Sequence, residues 1–71
     1  MPDEQPDTGS LEKFLNSTVI VTVKDGRKFR GKLVQYDEYM NLLMENVEEI
    51  GKEGRRAVVL IKGGNVGELS I

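Results

Sequence analysis

The sequence predicts a mainly β domain: a short N-terminal helix, then five strands forming a small, strongly bent antiparallel barrel. Three observations carry that expectation. Apolar residues first recur at helical spacing and then change to strand-like runs, an Asp-Gly pair stands between the first two runs, and Gly31 interrupts the second. A strand glycine of that kind marks a sharp bend or a close backbone approach, as where a small sheet curls on itself.

Residues 1–10, MPDEQPDTGS, hold no large apolar side chain beyond Met1 and are expected to form a flexible acidic tail, leaving 11–71 as the folded domain. Ser10 stands where an N-cap would stand, Glu12 sits in the expected first turn, and Leu11, Phe14 and Leu15 fall on one helical face. A short amphipathic helix ending near Asn16 is predicted. About two turns of helix are not stable alone, so these side chains must pack on something.

Thr18 to Val23 are all β-branched and predict the first strand. Asp25-Gly26 then predicts a two-residue hairpin with positive φ at both central positions. In the second strand, from about Arg27 to Tyr36, Phe29, Gly31 and Leu33 share one face. Lys28, Arg30 and Lys32 share the other, followed there by Val34 and Tyr36. Met40 to Ile50 alternates as a third strand, and Gly51 to Gly54 is a polar turn. Ala57 to Ile61 is unbroken apolar sequence, which suits a strand buried on both faces, its outer face against another chain. Val66 to Ile71 closes the chain as a fifth strand.

Composition narrows the function. The chain has 71 residues with no Cys, no His and no Trp. A domain this small gains little from its own core; without Cys disulfides are excluded, and without Cys or His a zinc site is not expected, which leaves unusually good packing or self-association as the supplement. The same absences remove Ser-His-Asp and Cys-His catalysis, and Ser10, Ser17 and Ser70 have no candidate base. No enzymatic constellation and no cofactor are expected. Glu45, Glu48 and Glu49 alternate faces and do not suggest a metal cluster. Net charge is −2, but Asp3, Glu4 and Asp7 all lie in the tail, so the body is slightly basic. Nothing resembles a secretory signal or a membrane span, and the expected location is cytoplasmic.

Two segments carry a family resemblance: Asp37-Glu-Tyr39-Met40-Asn41-Leu42 and, about twenty residues on, Ile61-Lys62-Gly63-Gly64-Asn65-Val66. They resemble the two conserved boxes of the Sm and Sm-like proteins. Helix, Asp-Gly hairpin, Arg30-Gly31, acidic third strand and short fourth loop stand in that family's order, from Leu11 to Ile71. The chain is most similar to archaeal Sm-like proteins. The resemblance implies an Sm-type barrel assembling through strands four and five into a homo-oligomeric ring, typically a heptamer, that binds U-rich single-stranded RNA at its pore and acts in RNA processing, turnover or chaperoning.

By the same resemblance, Tyr39 stacks on a uracil, Asn41 hydrogen-bonds its Watson-Crick edge, Lys62 covers the opposite face or reaches phosphate, and Gly63 admits the base close to the backbone. Asp37, Met40, Gly64 and Asn65 support the loops. The residue types suit these tasks, since base stacking on an aromatic ring contributes about 1–3 kcal/mol and an amide both donates and accepts. Lys62 replaces the usual Arg, and Gly64 stands where archaeal relatives often carry Asp, which implies a looser pocket. Taken alone, Tyr39 is a barrel-rim aromatic, Asn41 a turn former and Lys62 a solvated lysine. The alternative function is an Sm-like ring that recruits protein partners through its outer surface or tail and binds RNA weakly or not at all. Lys28, Arg30 and Lys32 read as a solvated face that a ring would multiply into a basic band, and Lys52, Arg55 and Arg56 as unassigned surface charge.

Overall fold

A computed structural model describes residues 8–71, and residues 1–7 of the predicted tail lie outside the described residues. Five antiparallel strands form one sheet in the order β4-β3-β2-β1-β5: β1 Thr18–Val23, β2 Lys28–Tyr36, β3 Leu42–Glu49, β4 Arg56–Ile61 and β5 Val66–Ser70. The predicted strands are all present, in order.

Before them stands a 3-10 helix, Thr8–Phe14, where a short amphipathic helix ending near Asn16 was expected. It begins ahead of Ser10, so Ser10 lies inside the helix and Glu12 lies beyond its first turn. Leu11 is buried in the core, and Phe14 and Leu15 pack half-buried against it. The chain leaves this helix through Asn16 at φ 64°, a left-handed conformation that Asn tolerates better than most residues. There the Asn16 N–H donates to the Leu33 carbonyl at 2.7 Å, and the Leu33 N–H returns to Ser17 at 3.0 Å. The helix is thereby fastened to β2.

The β1–β2 turn differs from the predicted two-residue hairpin. The Gly26 N–H donates to the Val23 carbonyl, the Val23 N–H donates to Arg27, and only Gly26 has positive φ, at 101°. This is a three-residue loop in which a turn is followed by one left-handed glycine. Asp25 instead accepts from the Arg27 backbone N–H at 3.0 Å and from its Nε at 2.9 Å.

Phe29, Gly31 and Leu33 face the core as predicted. A Cβ on Gly31 would stand 2.8 Å from Val47 Cγ2 and 3.0 Å from the Glu45 carbonyl oxygen, so β2 and β3 cross there more closely than a side chain permits. Opposite it, β3 carries an extra residue: the register runs Arg30↔Glu48 and Lys32↔Glu45 around Asn46, whose φ is 55°. This bulge breaks the predicted alternation of β3, so that Leu42 and Met44 are buried but so is Val47. A second shift between Leu33 and Gln35 turns Tyr36 away from the charged face, where it was expected, to pack half-buried against the core.

The core comprises Leu11, Val19, Val21, Val23, Phe29, Leu33, Leu42, Met44, Val47 and Ile61. Within the protomer β4 is covered on one face, and the face expected to meet another chain is open. Val59 and Ile61 face inward, but Val58 is 57% and Leu60 60% exposed. β4 and β5 are the outer strands of the sheet, each paired on one side within the protomer.

Candidate nucleic-acid interface

The segment between β2 and β3 is organised by one carboxylate. Asp37 Oδ1 accepts from the backbone N–H groups of Tyr39, at 2.9 Å, and Asn41, at 3.0 Å, while Oδ2 accepts from Asn41 Nδ2 at 2.9 Å. The Asp37 carbonyl also accepts from the Met40 N–H at 3.0 Å. Those bonds hold Met40 at φ 67°, a conformation costly for an unbranched side chain without such support. They also stabilise the charged carboxylate: the Asn41 side-chain bond foremost, opposed by partial desolvation and aided by the two backbone N–H groups, holds Asp37 below the usual carboxylate pKa.

Asn41 passes this order to the second loop. Its Oδ1 accepts from the Gly63 N–H at 2.7 Å across 22 residues of sequence, while its Nδ2 serves Asp37. The amide orientation is therefore fixed at both ends. Gly63 lies so close to the Tyr39 carbonyl that a Cβ at this position would collide with it. The Lys62 carbonyl accepts from the Asn65 N–H at 2.8 Å, closing the 3-10 turn Gly63–Asn65, and the Asn65 carbonyl accepts from the Lys24 N–H at 2.9 Å. Three loops are thus joined by hydrogen bonds.

The fold brings together the sequence-predicted residues Asp37, Tyr39, Met40, Asn41 and Gly63. Tyr39 is 71% exposed although its own backbone is pinned, Lys62 is exposed on the adjoining loop, and Gly64 borders open space. Asn65 enters through its backbone. The Gly63 N–H is satisfied by Asn41 and is not available to a ligand. Two neighbours escaped the sequence reading. Lys24 and Arg27 line a cleft of about 310 Å³ together with Lys62, Asn65 and Phe29. Their only sequence signal is their place in a hairpin loop, which does not tell where the hairpin points.

The LSM domain model matches residues 9–71. The chain belongs to the LSM family. An Sm-like protein of Methanosarcina barkeri is 43% identical over 60 residues, covering 79% of this chain and 82% of that protein. Among solved structures, the Sm-like heptamer of Pyrobaculum aerophilum superposes with a TM-score of 0.82 at 32% identity, covering 89% of this chain and 88% of that one. The Sm protein of Pyrococcus abyssii in complex with a uridine heptamer superposes with a TM-score of 0.82 at 33% identity, covering 94% and 97%. The joined loops 37–41 and 62–65 both lie within the matched LSM domain. No helix among the described residues of this Sm-like protein is long and apolar enough to cross a membrane.

Proposed function

We propose that this Sm-like protein binds U-rich single-stranded RNA at the rim made by loops 37–41 and 62–65. In this reading it works as a homo-oligomeric, heptameric ring joined through β4 and β5, and serves RNA processing, turnover or chaperoning in the cytoplasm. The observation that carries the reading is Tyr39: an aromatic ring 71% exposed on a backbone that Asp37 holds still. Such a ring can take a base on its face without the loop backbone having to reorganise. The uridine-bound Pyrococcus abyssii protein and the Pyrobaculum aerophilum heptamer support the ligand and the assembly.

Asn41 supplies the base selectivity. With Oδ1 facing Gly63 and Nδ2 facing Asp37, one N–H and one lone pair remain. They match a carbonyl beside an N–H on the uracil edge. Cytosine presents an amine beside a bare nitrogen, and an amide locked at both ends cannot turn over to suit it. Lys62 contributes its ammonium to the far face of the base or to phosphate, and Gly63 gives the base access to the backbone. No step requires a cofactor. The exposed apolar residues Val58 and Leu60 give the free edge of β4 a reason to meet another protomer, whose β5 removes that edge from solvent.

Titration of wild type, Asn41→Ala and Lys62→Ala with oligo(U) and oligo(C) tests the site. Wild type is expected to prefer oligo(U), and both substitutions to weaken that binding. Equal affinity for the two oligonucleotides, or no effect of either substitution, overturns it.

A further inference from the structure

Two basic clusters that are separate in sequence meet at the β3 bulge. Arg30 and Lys32 project from β2, and Arg55 comes from the turn before β4. With Thr18, Gly31, Glu45 and Asn46 they line a groove of about 490 Å³ that shares no residue with the uridine loops. The bulge is what makes the groove. Because Asn46 is looped out at φ 55°, its carbonyl and its Oδ1 both accept from Arg55 Nη1 at 3.5 Å, drawing this arginine onto the sheet. Glu48 stands between the two arginines, 3.6 Å from Arg30 Nε and 3.6 Å from Arg55 Nη2. These contacts are long and both arginine side chains stay more than half exposed, so most of their N–H donors are unused. Lys32 faces Glu45 in the register yet makes no ion pair among the described residues.

We infer that this groove is a second RNA-binding surface, which takes the phosphodiester backbone of single-stranded RNA running beyond the uridine loops. Its donors suit that ligand. Two accessible guanidinium groups and the Lys32 ammonium match phosphate oxygens, and the Thr18 hydroxyl and Asn46 amide can serve sugar or phosphate. The groove offers no exposed aromatic on which a base could stack, so binding there is expected to follow charge and not sequence. Glu45 and Glu48 leave three cations against two carboxylates. A single groove is therefore weak, and repetition around an assembly supplies its strength.

The inference rests on the reading of the protein as an RNA binder, and the test separates the two. Wild type, Lys32→Ala/Arg55→Ala and Tyr39→Ala are titrated with a seven-nucleotide oligo(U) and with a longer RNA that adds an A-rich flank of about twenty nucleotides to the same U tract. A control, Lys13→Ala/Lys52→Ala, removes two exposed charges elsewhere. The groove variant is expected to bind oligo(U) as wild type does and the long RNA at least tenfold more weakly. Its log-log salt slope should fall by about 0.7 for each phosphate that the variant no longer neutralises. The Tyr39→Ala variant should lose oligo(U) but still bind the long RNA more tightly than the short one. Native mass and melting temperature must match wild type for the groove variant. Long-RNA binding unchanged in that variant, an equal loss in the Lys13/Lys52 control, or a wild type that binds neither RNA overturns the inference. Failure of oligo(U) alone, with long-RNA binding still dependent on Lys32 and Arg55, overturns the uridine reading and leaves the groove standing.

Discussion

Substituting Asn41 by Ala severs the hydrogen bond that joins loops 37–41 and 62–65. The Gly63 N–H, partly buried and bonded to Asn41 Oδ1 at 2.7 Å, loses its acceptor, while Asp37 keeps its bonds to the backbone N–H groups of Tyr39 and Asn41. Stranding a buried donor costs about 1–3 kcal/mol, and partial access to water at Gly63 brings this to about 1–2 kcal/mol. That energy holds the 62–65 loop against the 37–41 loop, so local opening should become about 5- to 30-fold more frequent. Amide hydrogen exchange reads this directly. Gly63 should exchange faster by that factor in Asn41→Ala, while Leu33, whose N–H donates to Ser17 far from the site, should not change. Unchanged protection at Gly63 would refute the claim that Asn41 couples the loops.

Three further outcomes follow from the same geometry. Gly31→Ala must push Val47 and the β3 backbone aside, because its Cβ would fall 2.8 Å from Val47 Cγ2 and 3.1 Å from Val47 Cα; a loss of about 1–3 kcal/mol is expected in urea denaturation. Asp37 is held below its ordinary pKa by the Asn41 amide and the backbone N–H groups, so its contribution to loop order is full above the ordinary value of 3.8 and is lost as pH falls through the lower folded value. Carboxyl NMR titration should place it below 3.8, and Asn41→Ala should raise it. Leu60→Glu charges the exposed face of β4 without touching the protomer core, and light scattering should find its native mass falling toward the 8.0 kDa protomer while the fold is retained.

The fold was legible because its signals are local. A β-branched run from Thr18 to Val23 and a glycine at position 31 each act through backbone preferences that need no partner. The turn at Lys24–Gly26 was half legible: Asp-Gly suits both two- and three-residue hairpins, and the Asp25–Arg27 bonds accompany the longer one. The bulge at Asn46 was hidden, since asparagine tolerates left-handed φ without requiring it, and one extra residue there redirected Val47 inward. β4 looked doubly buried because an unbroken apolar run does not tell which of its side chains face the protomer core: Val59 and Ile61 do, Val58 and Leu60 do not. At the site, the motif residues could be named but their bonding could not. That Asn41 satisfies Gly63, and that Arg55 joins Arg30 and Lys32, are long-range facts fixed by strand register.

Titration of Tyr39→Ala with oligouridine tests the central claim most directly, because the ring is 71% exposed and lies outside the hydrophobic core. Base stacking of about 1–3 kcal/mol predicts an affinity loss of about 5- to 150-fold per occupied site, with native mass and melting temperature unchanged. An affinity within twofold of wild type would contradict the account.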